Sequence, residues 1–345
     1  MENLDWSNLS FNARHTKAVV KSVFRDGHWS APEVSDDFNL HLDIFAGVFH
    51  YSNSCFEGLK AFRGADGKVR IFRPDENAKR MASSGAYLDM AYPSEEMFID
   101  MCVTCVKENI DYLPPYGYGA SLYIRPVLIG CNPQLGVQSS KEVIFIVMCS
   151  PVGLYSTSKG LTPTTAIISR NYDRAAPNGT GRFKLSANYA TSLHPYNLAH
   201  RLGYGELLYL DSATKTKIDE FGSSNFMAIK GDRYVTPLSN SVLPSITNKS
   251  LQQIATDFGL TVEKRPIPVE ELAQFDEVNA CGTAVVITPI HTIEDRPGLE
   301  SDVVTASYHF GSPDKCGPVS QKLYERIRGI QNGTEEDPYG WCLVL

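Results

Sequence analysis

Lys184 is the residue whose setting most directly suggests chemistry. It follows the glycine-rich turn at 178–181, lies between Phe183 and Leu185, and precedes an expected helix. Apolar neighbours can strip water from an amine, which favours the neutral, nucleophilic form that makes Schiff bases. Most lysines stay in water, so an ordinary surface lysine is the alternative interpretation of this segment alone.

Two carboxylates, a helix start and a turn could bind a heterocycle that carries a phosphate. Asp219 and Glu220 precede a turn of small residues, where a buried carboxylate could hold a proton on a ring nitrogen; a solvated turn is the alternative. Ser245 is a predicted N-cap, and the N–H groups of the helix that it begins could bind an anion, although most caps serve only their own helix. Gly282 and Thr283 precede an apolar strand and offer further donors.

Arg73 and Arg125 lie at the edges of apolar segments. A guanidinium in such a place pairs with an anion, which is either a structural carboxylate or a ligand. Together with the Lys184 amine, the Glu220 carboxylate and the phosphate donors, these arginines match what pyridoxal 5'-phosphate requires of a protein. We therefore predict a site for that cofactor.

Both strands and helices are predicted around these residues, which indicates an α+β protein. The length of 345 residues indicates two domains. A run rich in Pro, Gly and Ser breaks every periodicity near residue 150, so we predict a first domain at 1–150, a connector at 151–162 and a second domain at 163–345. The elements predicted next to the candidate residues are a strand at 45–51, a hairpin of 59–63 with 69–72, helices at 74–90 and 94–110, a helix at 186–202, a helix from Ser245 to Gly259, and a strand at 285–288.

Composition and charge favour a water-soluble metabolic protein. The formal net charge is -7, and no basic run is interleaved with aromatic residues, so we expect no nucleic-acid partner. No apolar stretch is long enough to cross a bilayer, and the polar, acidic start resembles no targeting signal, so we expect no membrane partner and a cytoplasmic location. Cys102 and Cys105 fall on an apolar helical stripe, which indicates buried thiols, and we predict no metal site.

Several segments, in the same order, resemble the branched-chain amino acid aminotransferases of fold type IV, which use pyridoxal phosphate. The resemblance runs from about residue 39 to residue 345. It implies a small N-terminal α/β domain and a larger C-terminal domain with a β-barrel-like sheet and helices. The segments that carry it are 50–62, 72–77, 123–126, 151–155, 178–189, 220–225, 243–247 and 282–284.

The resemblance also implies a role for each candidate residue. Lys184 would form the Schiff base with the cofactor and act as the catalytic base and acid. The other residues implied to hold the cofactor are Tyr189 at the phenolate oxygen, Glu220 at the pyridine nitrogen, and Arg73, Ile246, Thr247 and Thr283 at the phosphate. The residues implied to contact the substrate are Tyr51, Phe56, Tyr123, Arg125, Tyr155 and Ser223, with the N–H groups of Thr283 and Ala284 at the α-carboxylate.

The implied activity is transamination of L-leucine, L-isoleucine and L-valine with 2-oxoglutarate, by a homodimer. Another fold type IV enzyme, such as a D-amino acid aminotransferase or aminodeoxychorismate lyase, is the nearest alternative, and a catalytically silent protein that binds pyridoxal phosphate is another. This sequence departs from the family at Ser186 and Ala187, where glycines are usual, so the surroundings of Lys184 are expected to differ.

Overall fold

The computed structural model describes residues 4–153 and 161–345, which form two compact units. The first unit contains 4–153, 183–187 and 329–345, and the second contains 161–182 and 188–328. The predicted boundaries near 150 and 163 did not anticipate that two later segments belong to the first unit. They belong there because Leu185 is buried in its core and Cys342–Val344 pairs with the strand Val69–Phe72.

The described residues contain eighteen strands and seven α-helices, all in the order of the chain. The strands are β1 (Val19–Arg25), β2 (His28–Trp29), β3 (Glu33–Ser35), β4 (Ser54–Phe56), β5 (Leu59–Arg63), β6 (Val69–Phe72), β7 (Ser121–Gly130), β8 (Val143–Val152), β9 (Thr164–Ser169), β10 (Glu206–Leu210), β11 (Ile218–Phe221), β12 (Asn225–Lys230), β13 (Arg233–Pro237), β14 (Thr261–Arg265), β15 (Glu277–Gly282), β16 (Val286–Asp295), β17 (Ala306–His309) and β18 (Cys342–Val344). The helices are α1 (Gly47–Tyr51), α2 (Pro74–Tyr87), α3 (Glu95–Glu108), α4 (Ser186–Thr191), α5 (Leu193–Arg201), α6 (Ile246–Asp257) and α7 (Pro318–Asn332).

The first unit is one sheet covered by helices α2 and α3. The strand order is β18-β6-β5-β7-β8-β1-β2, with β3 added to β1 and β4 added to β7. Pro74 begins α2 with Asp75 and Glu76 in its first turn, and the Ser94 hydroxyl caps α3 by accepting from the Met97 amide. The predicted hairpin of β5 and β6 is confirmed.

Helix α3 packs its apolar stripe into the core beneath the sheet. Phe98, Met101, Cys102 and Cys105 on this stripe are fully buried. The prediction that the two cysteines are buried thiols on the inner face of a helix is therefore confirmed, and all eight cysteines of the chain are unpaired thiols.

The second unit is built on a closed barrel. The strands β11-β10-β9-β16-β15-β12 are neighbours in that order, and β12 also pairs with β11, which closes a ring of six. This closing contact is the single residue pair Glu220↔Asn225. Strands β13 and β14 extend the sheet from β12, and β17 is added to β16. The predictions of an α+β class and of a barrel-like sheet in the second half are confirmed.

The predicted strand at 45–51 is wrong, because the chain forms the short helix α1 there. The Asp43 carboxylate accepts from the Phe45 amide at 2.8 Å, and the Asp43 carbonyl accepts from the Ala46 amide at 2.9 Å. This Asx turn bends the chain into the helix. Phe45 and Phe49 are exposed rather than buried, so the apolar pattern that predicted a strand did not reflect a buried face.

The helix predicted at 186–202 is two helices, α4 and α5, separated at Ser192. Pro195 explains the break, because it has no N–H to donate to the Thr191 carbonyl and its ring crowds that group. Gly203 ends α5 with a φ of 90°, as predicted from its position. The connector predicted from residue 151 also begins too early, since Pro151 and Val152 belong to β8.

None of the helices in the described part of the chain is long and apolar enough to cross a membrane.

Candidate active site

The segment that carries Lys184 is held along β4 in the first unit. Leu185 forms an isolated antiparallel bridge with Cys55, and the Lys184 carbonyl accepts from the Phe56 amide at 3.2 Å. The hydroxyls of Ser54 and Ser186 hydrogen-bond to each other one residue further along. Ser186 replaces a glycine that is usual in the family, so this side-chain contact is a local difference that the sequence predicted only in general terms.

Helix α2 holds the other side of the same segment. The Ser84 hydroxyl accepts from the Lys184 amide at 2.9 Å, and the Phe183 and Tyr87 rings stack with their centroids 4.1 Å apart. Leu185 is buried in the core between helix and sheet. The backbone of Lys184 is thus fixed from two elements, which limits the positions that its amine can reach.

The amine of Lys184 lies beside the ring of Phe56, one of the predicted substrate residues. Its nitrogen is 4.8 Å from the centroid of the Phe56 ring, and the Arg125 guanidinium carbon is 4.7 Å from the same centroid. Arg125 also lies 5.1 Å from the centroid of Tyr123 and donates to the Tyr123 hydroxyl at 3.0 Å. Lys184, Phe56, Tyr123 and Arg125 therefore form one cluster, which we call the aromatic cluster.

Arg125 retains an unused donor inside the aromatic cluster. Its Nε atom is buried and has no hydrogen-bond partner among the described residues. A buried donor without a partner is costly, so such an atom indicates a site where an acceptor from outside the chain binds. The two rings hold the guanidinium flat, which suits a carboxylate.

The remaining predicted residues of the first unit make contacts of their own. Arg73 precedes α2 with a φ of 48°, a left-handed conformation that is strained for a residue with a side chain. Its amide donates to the Trp341 carbonyl at 2.7 Å, its guanidinium lies 4.9 Å from the Trp341 ring, and burial lowers its pKa. The Tyr51 hydroxyl donates to the Leu135 carbonyl. Tyr155 lies outside the described residues.

In the second unit, Glu220 is buried and accepts from three donors. Arg174 forms an ion pair with Oε1 at 2.7 Å, the Leu243 amide donates to Oε1 at 3.0 Å, and Asn225 Nδ2 donates to Oε2 at 2.8 Å. Burial outweighs these donors and raises the pKa of Glu220 to about 7. A carboxylate with this proton affinity would be stabilised in its charged form by a donor that carries positive charge, such as a protonated ring nitrogen.

Arg174 is a residue of this candidate site that the sequence interpretation missed. Its side chain is only 9% exposed, and besides Glu220 it donates to the Ser241 carbonyl at 3.1 Å and to the Gly181 carbonyl at 3.3 Å. Gly181 has to be glycine there, because a Cβ atom would lie 2.0 Å from the Ser241 carbonyl oxygen. The glycine-rich turn before Lys184 is therefore shaped around this arginine, whose only sequence signal is a charge within a short loop.

Two chain reversals meet at one end of the barrel in the second unit. The turn with Ser223 and Ser224 joins β11 to β12, and the turn with Thr283 and Ala284 joins β15 to β16. Since β12 pairs with β15, these turns are adjacent, and a Cβ atom on Gly282 would lie 3.6 Å from the Cβ atom of Ser224.

The start of α6 joins the two turns through its contacts with the Glu220 pair. The Leu243 amide binds Glu220, and Asn248 binds Asn225. The predicted residues Glu220, Ser223, Ile246, Thr247, Thr283 and Ala284 are thus brought to one end of the barrel.

This barrel end offers donors to a ligand. Ser245 caps α6 by accepting from the Asn248 amide at 3.2 Å, and the amides of Ile246 and Thr247 belong to the same first turn, which has no intrahelical acceptors. The Ser224 hydroxyl is buried and has no partner among the described residues. A helix start beside a buried, unused hydroxyl fits a phosphate-bearing ligand.

Tyr189 lies on α4. Its carbonyl accepts from the Ser192 hydroxyl at 2.9 Å. The preceding Asn188 ties the helix to the glycine-rich turn, since its Nδ2 donates to the Thr180 carbonyl at 2.9 Å and its Oδ1 accepts from the Thr180 hydroxyl at 2.5 Å.

The sequence profile of the family described as Amino-transferase class IV matches residues 54–293. The chain belongs to this family of enzymes. The branched-chain-amino-acid aminotransferase of Haemophilus influenzae is 42% identical over 353 aligned residues that cover both chains completely. That of Helicobacter pylori is 42% identical over 347 residues, covering 100% of this chain and 99% of its own.

Solved structures show the same fold. A branched-chain amino acid aminotransferase of Escherichia coli is similar with a TM-score of 0.75 at 26% identity, covering 95% of this chain and 98% of its own. The pyridoxal phosphate form of the Thermobaculum terrenum enzyme is similar with a TM-score of 0.77, covering 96% and 99%, and at 21% identity it shows the common fold. The prediction of fold type IV is thereby confirmed.

Proposed function

We propose that the protein uses pyridoxal phosphate to transfer the amino group of L-leucine, L-isoleucine or L-valine to 2-oxoglutarate. The observation that carries the substrate choice is the aromatic cluster, in which one arginine lies against two rings with a buried donor unused. An apolar wall suits an aliphatic side chain, and Arg125 pairs with the γ-carboxylate only when the glutamate partner is present. The full-length relatives at 42% identity support the same substrates.

The residues present fit pyridoxal phosphate. Lys184 would hold it covalently and Tyr189 would bind the phenolate oxygen. Glu220 would pair with the ring nitrogen, because among the described residues its Oε2 atom accepts one hydrogen bond, from Asn225, and has room for a second. Arg73, the amides of Ile246 and Thr247, and Thr283 would bind the phosphate, and the unused Ser224 hydroxyl lies at the same barrel end as the last three of these.

When bound, pyridoxal phosphate supplies an electron sink for the negative charge that develops at the substrate Cα. The amine of Lys184 removes the Cα proton as a general base and later returns a proton as a general acid. Its fixed backbone, bound by Phe56 and Ser84, keeps the amine next to the aromatic cluster. The donors of Arg174, Leu243 and Asn225 favour the charged form of Glu220, which the positive charge of the ring nitrogen would stabilise further.

The absorption spectrum of the purified, cofactor-loaded protein tests the function directly. We expect a visible band that L-leucine bleaches and that 2-oxoglutarate then restores, because the two half-reactions interconvert two forms of the cofactor. Bleaching by D-amino acids alone would instead indicate a D-amino acid aminotransferase. A stable band that no amino acid changes would indicate a silent binding protein, and a protein that takes up no chromophore would contradict the proposal altogether.

Replacing Arg125 should separate the two substrates. Arg125→Met retains an apolar stem against Phe56 but loses the charge, so kcat/KM for 2-oxoglutarate should fall by about 10²-fold, as expected for a lost charge-assisted pair. The rate of bleaching by L-leucine should change less than about threefold. Arg63→Met, on β5 outside the cluster, is the matched control. Equal losses with both substrates would show that Arg125 supports the pocket structure rather than recognising the carboxylate.

We further propose that the enzyme works in the cytoplasm as a homodimer. The unpaired state of all eight cysteines supports a reducing compartment, and the dimer rests on the family resemblance. Light scattering of the purified protein should give twice the mass of one chain; a monomeric mass with full activity would contradict the dimer.

A further inference from the structure

We infer that Asn225 and Asn248 are positioning residues that fix the direction of the hydrogen bonds reaching Glu220 and so hold its carboxylate as an acceptor for the cofactor's ring nitrogen. The inference rests on the proposed function in one respect, which is that the partner of Glu220 is the ring nitrogen of pyridoxal phosphate. The hydrogen bonds themselves are made within the second unit, between buried side chains of β11, β12, β13 and α6.

The direction is set at the far end of this chain of hydrogen bonds, at Thr236 on β13. The Thr236 hydroxyl donates its only proton to the Phe226 carbonyl at 2.9 Å. It can therefore only accept from its other neighbour, so the atom of Asn248 that lies 2.9 Å away must be the donor nitrogen Nδ2. The Tyr234 hydroxyl, 2.8 Å from Oδ1, and Gln252 Nε2, 3.0 Å from it, can both donate to the oxygen of Asn248 in this orientation.

The orientation of Asn248 then determines that of Asn225. The Nδ2 of Asn248 has a second proton, which it donates to Oδ1 of Asn225 at 3.0 Å. The Nδ2 of Asn225 is consequently turned towards Glu220 Oε2 at 2.8 Å and the Leu243 carbonyl at 3.0 Å. A flipped Asn225 amide would place its oxygen against the carboxylate and a donor against the donor of Asn248. The Phe226 carbonyl, acting through Asn248, and the Leu243 carbonyl, acting directly on Asn225, thus set the same polarity at Glu220.

Asn248 also connects the two ends of the proposed cofactor site in the second unit. Its backbone amide is the one that Ser245 caps in the first turn of α6, directly after the amides of Ile246 and Thr247. Its side chain reaches Glu220 through Asn225. The charged or titratable groups that act on Glu220 include Arg174, Asp219 and the Cys281 thiol. Among the described residues, Asn248 reaches Glu220 through the side chain of Asn225.

The protonation of Glu220 in the full-length protein tests the inference, with and without pyridoxal phosphate. The infrared band of the protonated carboxyl is assigned by its loss in Glu220→Gln, which separates it from Glu206, the other buried glutamate with a raised pKa. In the cofactor-free protein we expect Asn225→Leu to raise the midpoint of this titration by about one pH unit, and Asn248→Leu by about half a unit. Asn248→Ala has a smaller side chain than Asn248→Leu and adds no bulk to the core. It should raise the midpoint of the Glu220 titration as well.

Asn279→Leu is the matched control. Asn279 is equally buried on β15 and donates to Ser320 at 2.8 Å, but it has no connection to Glu220. The Asn279→Leu substitution should lower the stability of the protein about as much as the Asn225 and Asn248 substitutions do, and it should leave the midpoint of the Glu220 titration unchanged. An unchanged midpoint in folded Asn225 or Asn248 variants, or an equal shift in Asn279→Leu, would overturn the inference.

The cofactor-loaded protein distinguishes this inference from the proposed function. Pyridoxal phosphate should dissociate about tenfold faster from the Asn225 and Asn248 variants than from Asn279→Leu, because their Glu220 is a poorer partner for the ring nitrogen. If the chain bound no cofactor but the midpoints still shifted as expected, the proposed function would fail and the role of the asparagines would stand. If the Glu220 midpoints shifted but pyridoxal phosphate dissociated at an unchanged rate, the asparagines would position Glu220 without affecting its contact with the ring nitrogen, and that part of the inference would be overturned.

Discussion

Lys184→Ala should lower the rate of amino-group transfer by at least about 10³-fold, since it removes both the covalent attachment and the group that moves the Cα proton. Some cofactor should remain bound without the covalent bond, because the phosphate and ring-nitrogen partners are unchanged. The visible spectrum and single-turnover rates with L-leucine measure the two effects separately.

Lys184→Arg is the sharper variant of this experiment. In the native protein the Lys184 amine lies 4.8 Å from the centroid of the Phe56 ring. The arginine keeps a cation beside this ring but offers no nucleophile at neutral pH. It should be as inactive as Lys184→Ala and should fold at least as well. Lys68→Ala, at an exposed turn of the same unit, should retain normal rates. An active Lys184→Arg protein would show that the lysine serves only as a charge.

Arg174→Met should destabilise the second unit by about 3–5 kcal/mol at pH 8, because it leaves the buried Glu220 carboxylate without its ionic partner. The loss should depend on pH. The pKa of Glu220 is about 7 in the folded protein and near its ordinary value of 4.5 when unfolded. Between these values the folded state binds more protons than the unfolded state, so this group's contribution to the unfolding free energy falls as pH rises.

Removing Arg174 raises the pKa of Glu220 further and extends this fall above pH 7. The unfolding free energy of Arg174→Met should therefore be only slightly lower than that of the native protein at pH 5, where Glu220 is protonated in both proteins. The difference should be largest at pH 8. Hydrogen exchange of the amides in β10 and β15 measures it within the barrel. Arg233→Met, which breaks an exposed ion pair with Glu263, should cost less than about 1 kcal/mol at either pH.

A double variant decides whether the unpaired charge is the cause. Arg174→Met with Glu220→Gln removes both charges and should be more stable at pH 8 than Arg174→Met alone. If the double variant were less stable by the sum of the two single changes, Arg174 would act through packing and its backbone contacts instead.

The parts of the site that the sequence predicted are those marked by local signals. The glycine-rich turn before Lys184, the cap at Ser245 and the small residues after Glu220 each change the local backbone, and such changes are visible in a short window. The resemblance then supplied roles that no local pattern contains.

The contacts that the sequence did not predict are between residues distant in the chain. Arg174 meets Glu220 across 46 positions, and Asn248 meets Asn225 across 23. Neither Arg174 nor Asn248 has a periodic or compositional signature in the sequence. Each is a single polar side chain, and its partner is determined by where the barrel closes. The helix at 47–51 was missed for the converse reason, since its apolar residues are exposed and the decisive group is the Asp43 side chain.

The barrel's closing contact limits which residues can occupy position 220. Glu220 and Asn225 are the one residue pair that joins β11 to β12, and their side chains also hydrogen-bond to each other. Under the proposed function, any replacement has to satisfy both the junction of a closed sheet and the protonated ring of the cofactor. We therefore expect position 220 to accept few replacements, and a change of chemistry in this fold to begin elsewhere, on the turns around the barrel end.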